Sequence, residues 1–167
     1  DPVVLNARDF GVPQNRKRVF LLGYDPARVK APGFWPPAPT HAAPGTGPDL
    51  VDWVPAAVAF STKAPKGDPN DIHMNHAQDL IEAFRRTPPN GGSRRDSGRI
   101  LPCHTNHDGH KDVYGRINPA VPAPTMTTAC INPSKGRFVH PTDHHGITLR
   151  QAARLQSFPD WYVFSGG

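Results

Sequence analysis

Hydrophobic positions fall along this chain in short groups separated by polar, proline-rich stretches. Val3-Val4-Leu5 reads as a strand, and Val19-Phe20-Leu21-Leu22 is an apolar run of strand length closed by Gly23. Gly11 and Pro13 punctuate the turn between them, so residues 1–24 are expected to pair as a hairpin with Val19–Leu22 buried. From Asp49 to Phe60 the apolar residues lack a period and Pro55 forbids one continuous helix. A short helical turn followed by an extended piece is expected there. Ala77, Leu80, Ile81 and Phe84 form one helical stripe, with Asn75 as cap, Gln78 completing a capping box and Pro88-Pro89 as terminator. Thr148, Gln151, Leu149, Ala152, Ala153 and Leu155 predict a second capped helix that stops at Phe158-Pro159. Phe158, Trp161, Tyr162 and Phe164 then read as an aromatic plug packed in the core.

The breakers divide these groups. Six prolines between Ala31 and Pro48 make a semi-rigid, extended connector. Asn90 to Arg95 is expected as a flexible basic loop, and Tyr114 to Thr128 as short extended pieces between Pro119, Pro122 and Pro124. Lys135-Gly136-Arg137 reads as a turn.

Composition narrows the picture. With 37% hydrophobic residues, 21 prolines and 15 glycines in 167 residues, much of the chain is loop and the core is modest, which points to a missing partner. A net charge of +5, with a pI near 9.6, suits a polyanionic ligand without identifying it. No apolar run reaches the roughly 20 residues that span a bilayer. Cys103 and Cys130 lie in unrelated contexts, no signal peptide is visible, and a cytoplasmic protein is the expectation. Val3-Val4-Leu5 reads as a strand already under way and Gly166-Gly167 follows directly on the aromatic group, so both ends are expected to continue.

Candidate chemistry sits in several places. Arg16 and Arg18 share one side of an extended segment and Lys17 faces the other, giving either a two-guanidinium clamp for an anion or carbonyl, or a solvated charge cluster. Arg94 and Arg95 beside Gly91-Gly92 form either a phosphate-holding loop or a solvated one. Thr125, Thr127 and Thr128 offer hydroxyls near a phosphate path, or are ordinary strand threonines. Arg150 and Arg154, four apart on a helix, repel unless an acid or a phosphate answers them. Cys103, His104, His107, Asp108, His110 and Asp112 invite a zinc reading, but no second ligand pair follows. A polar loop that reaches a partner, without metal, is the expectation.

Two of these stretches carry a resemblance. Gly11-Val12-Pro13-Gln14-Asn15-Arg16-Lys17-Arg18-Val19-Phe20 resembles the Gln-x-Arg-x-Arg motif of DNA cytosine-5 methyltransferases. Thr148 to Asp160 resembles the family's arginine-containing helix and Leu-Gln-Ser-Phe-Pro-Asp motif. Asn75-His76, Pro124 to Thr127 and His140-Pro141 are weaker matches in the same order.

The resemblance implies an α+β fragment. A strand pair (residues 1–30) would belong to an α/β, Rossmann-like methyltransferase domain, followed by a connector (31–48). A loop-rich, mainly β target-recognition domain with short helices (49–147) would follow, and residues 148–167 would return to the catalytic domain. It implies that Arg18 contacts cytosine O2, that Arg16 supports it with Gln14 in the same loop, and that Arg150 and Arg154 belong to the helix that organises the target-recognition domain. With the loop and threonine readings above, Gln14, Arg94, Arg95, Thr125, Thr127, Arg150 and Arg154 are the expected DNA-binding residues. The implied partners are double-stranded DNA and a missing N-terminal catalytic half, and the implied methyl donor is S-adenosylmethionine. The family's cofactor loop, Pro-Cys-Gln nucleophile and Glu-Asn-Val motif have no counterpart in the sequence. The chain alone is therefore expected to be inactive, in a bacterial, nucleoid-associated cytoplasmic enzyme. A free-standing DNA-binding module is the alternative.

Overall fold

A computed structural model describes residues 2–30, 33–47, 49–100 and 112–165. It is a small α+β structure with two small sheets and few helices. Strand β1 (Val3–Asn6) pairs antiparallel with β2 (Lys17–Phe20), with Leu5 opposite Arg18 and Asn6 opposite Lys17. The predicted hairpin is present. Its connection holds a 3-10 helix, Ala7–Phe10, closed by Gly11 at φ 85°. A Cβ on Gly11 would also come within 2.8 Å of the His41 ring, so glycine is needed for both backbone and space.

The expected burial of Val19–Leu22 is overturned. Strand β2 ends at Phe20, and Val19 and Leu21 are 68% and 75% exposed. The ribbon has only two strands, and all four residues of the run are exposed.

The proline-rich segment returns to the hairpin. Thr40 N–H donates to Asp9 O (3.0 Å), and β3 (His41–Ala42) pairs in parallel with β4 (Val51–Asp52). Trp53 then locks this piece down, with Nε1 donating to Asp9 Oδ1 (2.9 Å) and the Arg8 guanidinium 3.7 Å from its ring centroid. Between residues 49 and 60 the expected order is reversed: the extended piece comes first and a 3-10 helix, Ala56–Ala59, follows. Pro55 sits at the helix entry, where a fixed φ and a missing donor cost nothing.

Helix α1 (Gln78–Arg86) buries Ala83 and Phe84. It starts after Ala77 with no side-chain cap, so the expected Asn75–Gln78 capping box does not form. Residues 90–98 close on a 3-10 helix, Arg94–Ser97, capped reciprocally by Ser93 and Asp96, where a flexible loop was expected. Helix α2 (Leu149–Arg154) carries the predicted box: Gln151 N–H donates to Thr148 Oγ1 (3.1 Å) and Thr148 N–H to Gln151 Oε1 (2.9 Å). It ends sooner than predicted, because Ser157 takes a left-handed φ of 63° and Phe158 N–H folds back to Ala153 O. The core gathers Ala56, Ala59, Ile117, Met126, Phe138, Ile147, Ala152 and Leu155 beneath α2. Burying each large member contributes roughly 1.5–3 kcal/mol. The aromatic group after α2 is no core plug. Phe158, Tyr162 and Phe164 contact one another at 4.9–5.2 Å, while Trp161 is 80% exposed. Among the described residues no helix is long and apolar enough to cross a membrane.

Candidate functional site

The turn before β2 and the end of α2 meet at Gln14. Its side chain is 1% exposed; Nε2 donates to Leu155 O (3.3 Å) and Oε1 accepts from Met126 N–H (3.0 Å). Asn15 N–H donates to Ala123 O and Ala123 N–H to Pro13 O, and the Thr125 hydroxyl donates to Asn15 O (2.7 Å). Three segments far apart in sequence thus share one buried joint. Gln14 and Thr125 were expected to face DNA. The buried Gln14 amide instead satisfies donor and acceptor within the protein, and the half-buried Thr125 hydroxyl is engaged with Asn15 O. Thr127 remains exposed.

From this joint project Arg16, just before β2, and Arg18, within it. Asn6 braces the strand start, accepting from Arg16 N–H (2.9 Å) while its amide donates to Asn15 Oδ1 (2.8 Å). Arg16 Nη1 donates to Met126 O (3.1 Å), which fixes its guanidinium. Arg18 is exposed, and among the described residues its side chain bonds only the neighbouring Lys17 carbonyl (2.7 Å). Arg16 and Arg18 line one cleft of about 280 Å³ with Leu5, Phe10, Phe20 and Pro37, so the period-two expectation holds and the pair shares a face. One guanidinium is anchored and the other can exchange a local contact for a ligand. Apolar walls with two forks of donors suit a flat group bearing a carbonyl or a negative charge.

Arg150 and Arg154 are answered by carboxylates. Arg150 is wholly buried; Nε and Nη2 pair with both oxygens of Asp68, and Nη2 also donates to Tyr162 O (2.9 Å). Arg154 grips Asp160 (2.7 and 2.8 Å) and donates to Thr62 O (2.7 Å) and Lys63 O (3.2 Å). These contacts hold the Asp68 and Asp160 carboxyls below the ordinary range and both arginines above theirs. The donors expected at DNA are spent on fastening the 59–68 segment to α2. Arg94 is likewise buried, with Nε lacking a partner among the described residues, whereas Arg95 is exposed. In the glycine loop beside them, Gly91 O and Gly92 O accept from Arg137 Nη1 (2.8 and 3.1 Å).

A second, larger cleft of about 810 Å³ opens between the 61–67 segment and a group of histidines. The His73 and His145 rings stack at 4.1 Å, and Asp143 approaches both His140 and His145 (3.5 and 3.6 Å). Burial pushes the His140 imidazole down to about 4, and burial beside the neighbouring imidazoles lowers His76. Cys130 is buried, which raises its thiol. Cys103, His104, His107, Asp108 and His110 lie outside the described residues. Within those residues, no three histidine, cysteine or acidic side chains are placed to hold a metal.

One central residue gave no signal in the sequence. Arg116 is fully buried without a paired carboxylate; it donates to the carbonyls of Phe84, Thr87, His140 and Asp143 at 2.5–3.0 Å. Desolvation lowers its pKa. It ties the end of α1 to the histidine wall.

The C-5 cytosine-specific DNA methylase family pattern matches residues 1–167. The chain is 32% identical over 97% of its length to the type II methylase M.HgiDII of Herpetosiphon aurantiacus, covering 45% of that protein. It is 31% identical over 98% of its length to the type II methyltransferase M1.HphI of Haemophilus parahaemolyticus, covering 40%. To the type II methyltransferase M1.BsuMI of Bacillus subtilis it is 32% identical over 98% of its length, covering 36%. The chain spans less than half the length of these curated relatives. By a match over its whole length, it belongs to the C-5 cytosine-specific DNA methylase family.

Proposed function

We propose that this chain is the DNA-recognition portion of a DNA cytosine-5 methyltransferase that methylates C5 of cytosine in duplex DNA. Residues 1–30 would be strands of a Rossmann-like catalytic domain, and the loop-rich segment after the connector its target-recognition domain. Chemistry on a base inside a duplex needs that base out of the stack, and hence a pocket. In this reading the cleft between Arg16 and Arg18 is one wall of that pocket. Arg18 releases Lys17 O and donates to cytosine O2, drawing electron density from the ring, while Arg16 holds the strand in place. Gln14, Arg150 and Arg154 act by position rather than by touching DNA, and Thr127 and Arg95 are the outward-facing candidates for its backbone. The observation that most supports the reading is that Gln14 joins the two motif stretches, so Arg16 and Arg18 project from a joint that includes the end of α2.

S-adenosylmethionine, the donor that the family implies, carries a sulfonium cation. The Arg16–Arg18 cleft carries two guanidiniums and no acidic side chain, and does not fit that cation. No cofactor contact is therefore assigned to these residues, and the missing N-terminal half is proposed to bind it and to supply the nucleophile. Incubating the 167-residue chain with duplex DNA and labelled methyl donor tests the reading. Salt-dependent DNA binding without methyl transfer is the expected result, and robust transfer by the chain alone contradicts it.

A further inference from the structure

The larger cleft has no role in the reading above, and its two walls differ in kind. One wall is the exposed 61–67 segment carrying Lys63 and Lys66. Its backbone is held from behind, since Arg154 donates to Ala59 O, Thr62 O and Lys63 O and is itself fixed by Asp160. The two lysines therefore stand on an anchored stretch, and neither has an ion-pair partner among the described residues. The opposite wall is the His73–His145 stack. His73 Nδ1 faces Met74 O (2.9 Å) and His145 Nδ1 faces Gly146 O (2.7 Å). A carbonyl can only accept, so each ring carries its proton on Nδ1 in the neutral form. The charges of Arg150 and Arg154 are already neutralised by Asp68 and Asp160, and Asp71 and Asp143 are the remaining acids on the lining. Apart from Phe60, the lining lacks large apolar side chains, which disfavours an apolar ligand and suits a charged one.

We propose that this cleft is a second DNA contact, separate from the Arg16–Arg18 cleft, in which Lys63 and Lys66 take phosphodiester oxygens of the duplex backbone. The proposal rests on the DNA-binding reading. Lysine suits this task because its ammonium meets a phosphate as a compact charge and needs no fixed plane. A volume of about 810 Å³ leaves room for a phosphate with its sugar above the imidazole wall.

The test is the affinity of the chain for a fluorescent duplex across a salt titration, comparing wild type, the double variant Lys63→Ala/Lys66→Ala, and the control Lys30→Ala. Removing one lysine that neutralises a phosphate lowers the slope of log affinity against log salt by about 0.9, which at 0.1 M salt corresponds to roughly an eightfold weakening. The double variant is expected to show one to two such steps with an unchanged circular dichroism spectrum, and Lys63→Arg/Lys66→Arg is expected to keep the wild-type slope. Lys30→Ala is expected to stay within about twofold of wild type, because its charge lies outside the cleft. Wild-type binding with the same slope in the double variant overturns the site and leaves DNA binding standing. An equal weakening in Lys30→Ala assigns the effect to net charge and also overturns the site. Absence of wild-type binding overturns both the site and the reading on which it rests.

Discussion

Replacing Asp68 by asparagine isolates the ion pair that fastens the lysine-bearing segment to α2. In the wild type, side-chain exposure at Arg150 and Asp68 is 0% and 2%, and the carboxylate holds the guanidinium through both oxygens. Asparagine keeps the shape and removes the charge, leaving Arg150 buried against a neutral amide whose NH₂ can face its donors. Breaking one side of a buried pair typically costs about 3–5 kcal/mol. Arg150 keeps its hydrogen bonds to Pro159 O and Tyr162 O, so about 3 kcal/mol is expected. For a domain of this size that lowers the melting temperature by roughly 6–12 °C at pH 7. The pH dependence follows from the sign of the shift. Asp68 titrates below its ordinary 3.8 in the folded state, so the stabilisation is present above that value and is lost as pH falls through the folded pKa. The melting curves of wild type and Asp68→Asn should therefore converge on acidification below pH 3.8. A difference under about 1 kcal/mol at pH 7, or one that persists in acid, refutes the argument. Arg150→Met in the Asp68→Asn background should recover part of the stability, since no charge then remains buried without its partner.

Other perturbations probe the joints around the two clefts. Gln14→Ala orphans Met126 N–H and Leu155 O and should destabilise by about 1–3 kcal/mol in urea unfolding. It should also weaken DNA binding by way of the segment that leads through Arg16 into β2, and Gln14→Glu should not rescue it because the donor to Leu155 O is gone. Arg116→Met leaves four carbonyls, three of them buried, without their donor, which should cost at least about 3 kcal/mol and speed amide exchange across residues 138–147. Trp53→Phe removes the Asp9 hydrogen bond and weakens the Arg8 contact, for about 1–2 kcal/mol by thermal denaturation.

Local signals in this sequence were legible where they did not depend on distant partners. The Thr148–Gln151 box and the turn at Gly11 are written in residues that contact each other, and both formed. The shared face of Arg16 and Arg18 followed from strand geometry alone. What failed was everything decided by tertiary cover. Val19 to Leu22 is apolar enough to demand burial, but its sequence cannot say what would lie over it. Asn75 has the chemistry of a cap, yet the backbone becomes helical only after Ala77. Arginines were the hardest to place. Arg94, Arg95, Arg116 and Arg150 look alike as letters, and only their surroundings turn three of them inward. Asp68, the partner of Arg150, lies 82 residues away and no local spacing rule reaches it.

The central claim is that the Arg16–Arg18 cleft holds the target cytosine. Its most direct test supplies the chain with the N-terminal half of a family member and measures methyl transfer to duplex DNA for wild type and Arg18→Ala. The account predicts that mixing restores transfer and that Arg18→Ala lowers its rate by about 10²–10³, the cost of removing one well-placed charge-stabilising donor, while DNA affinity changes less than about tenfold. Restored transfer that Arg18→Ala leaves intact would contradict it.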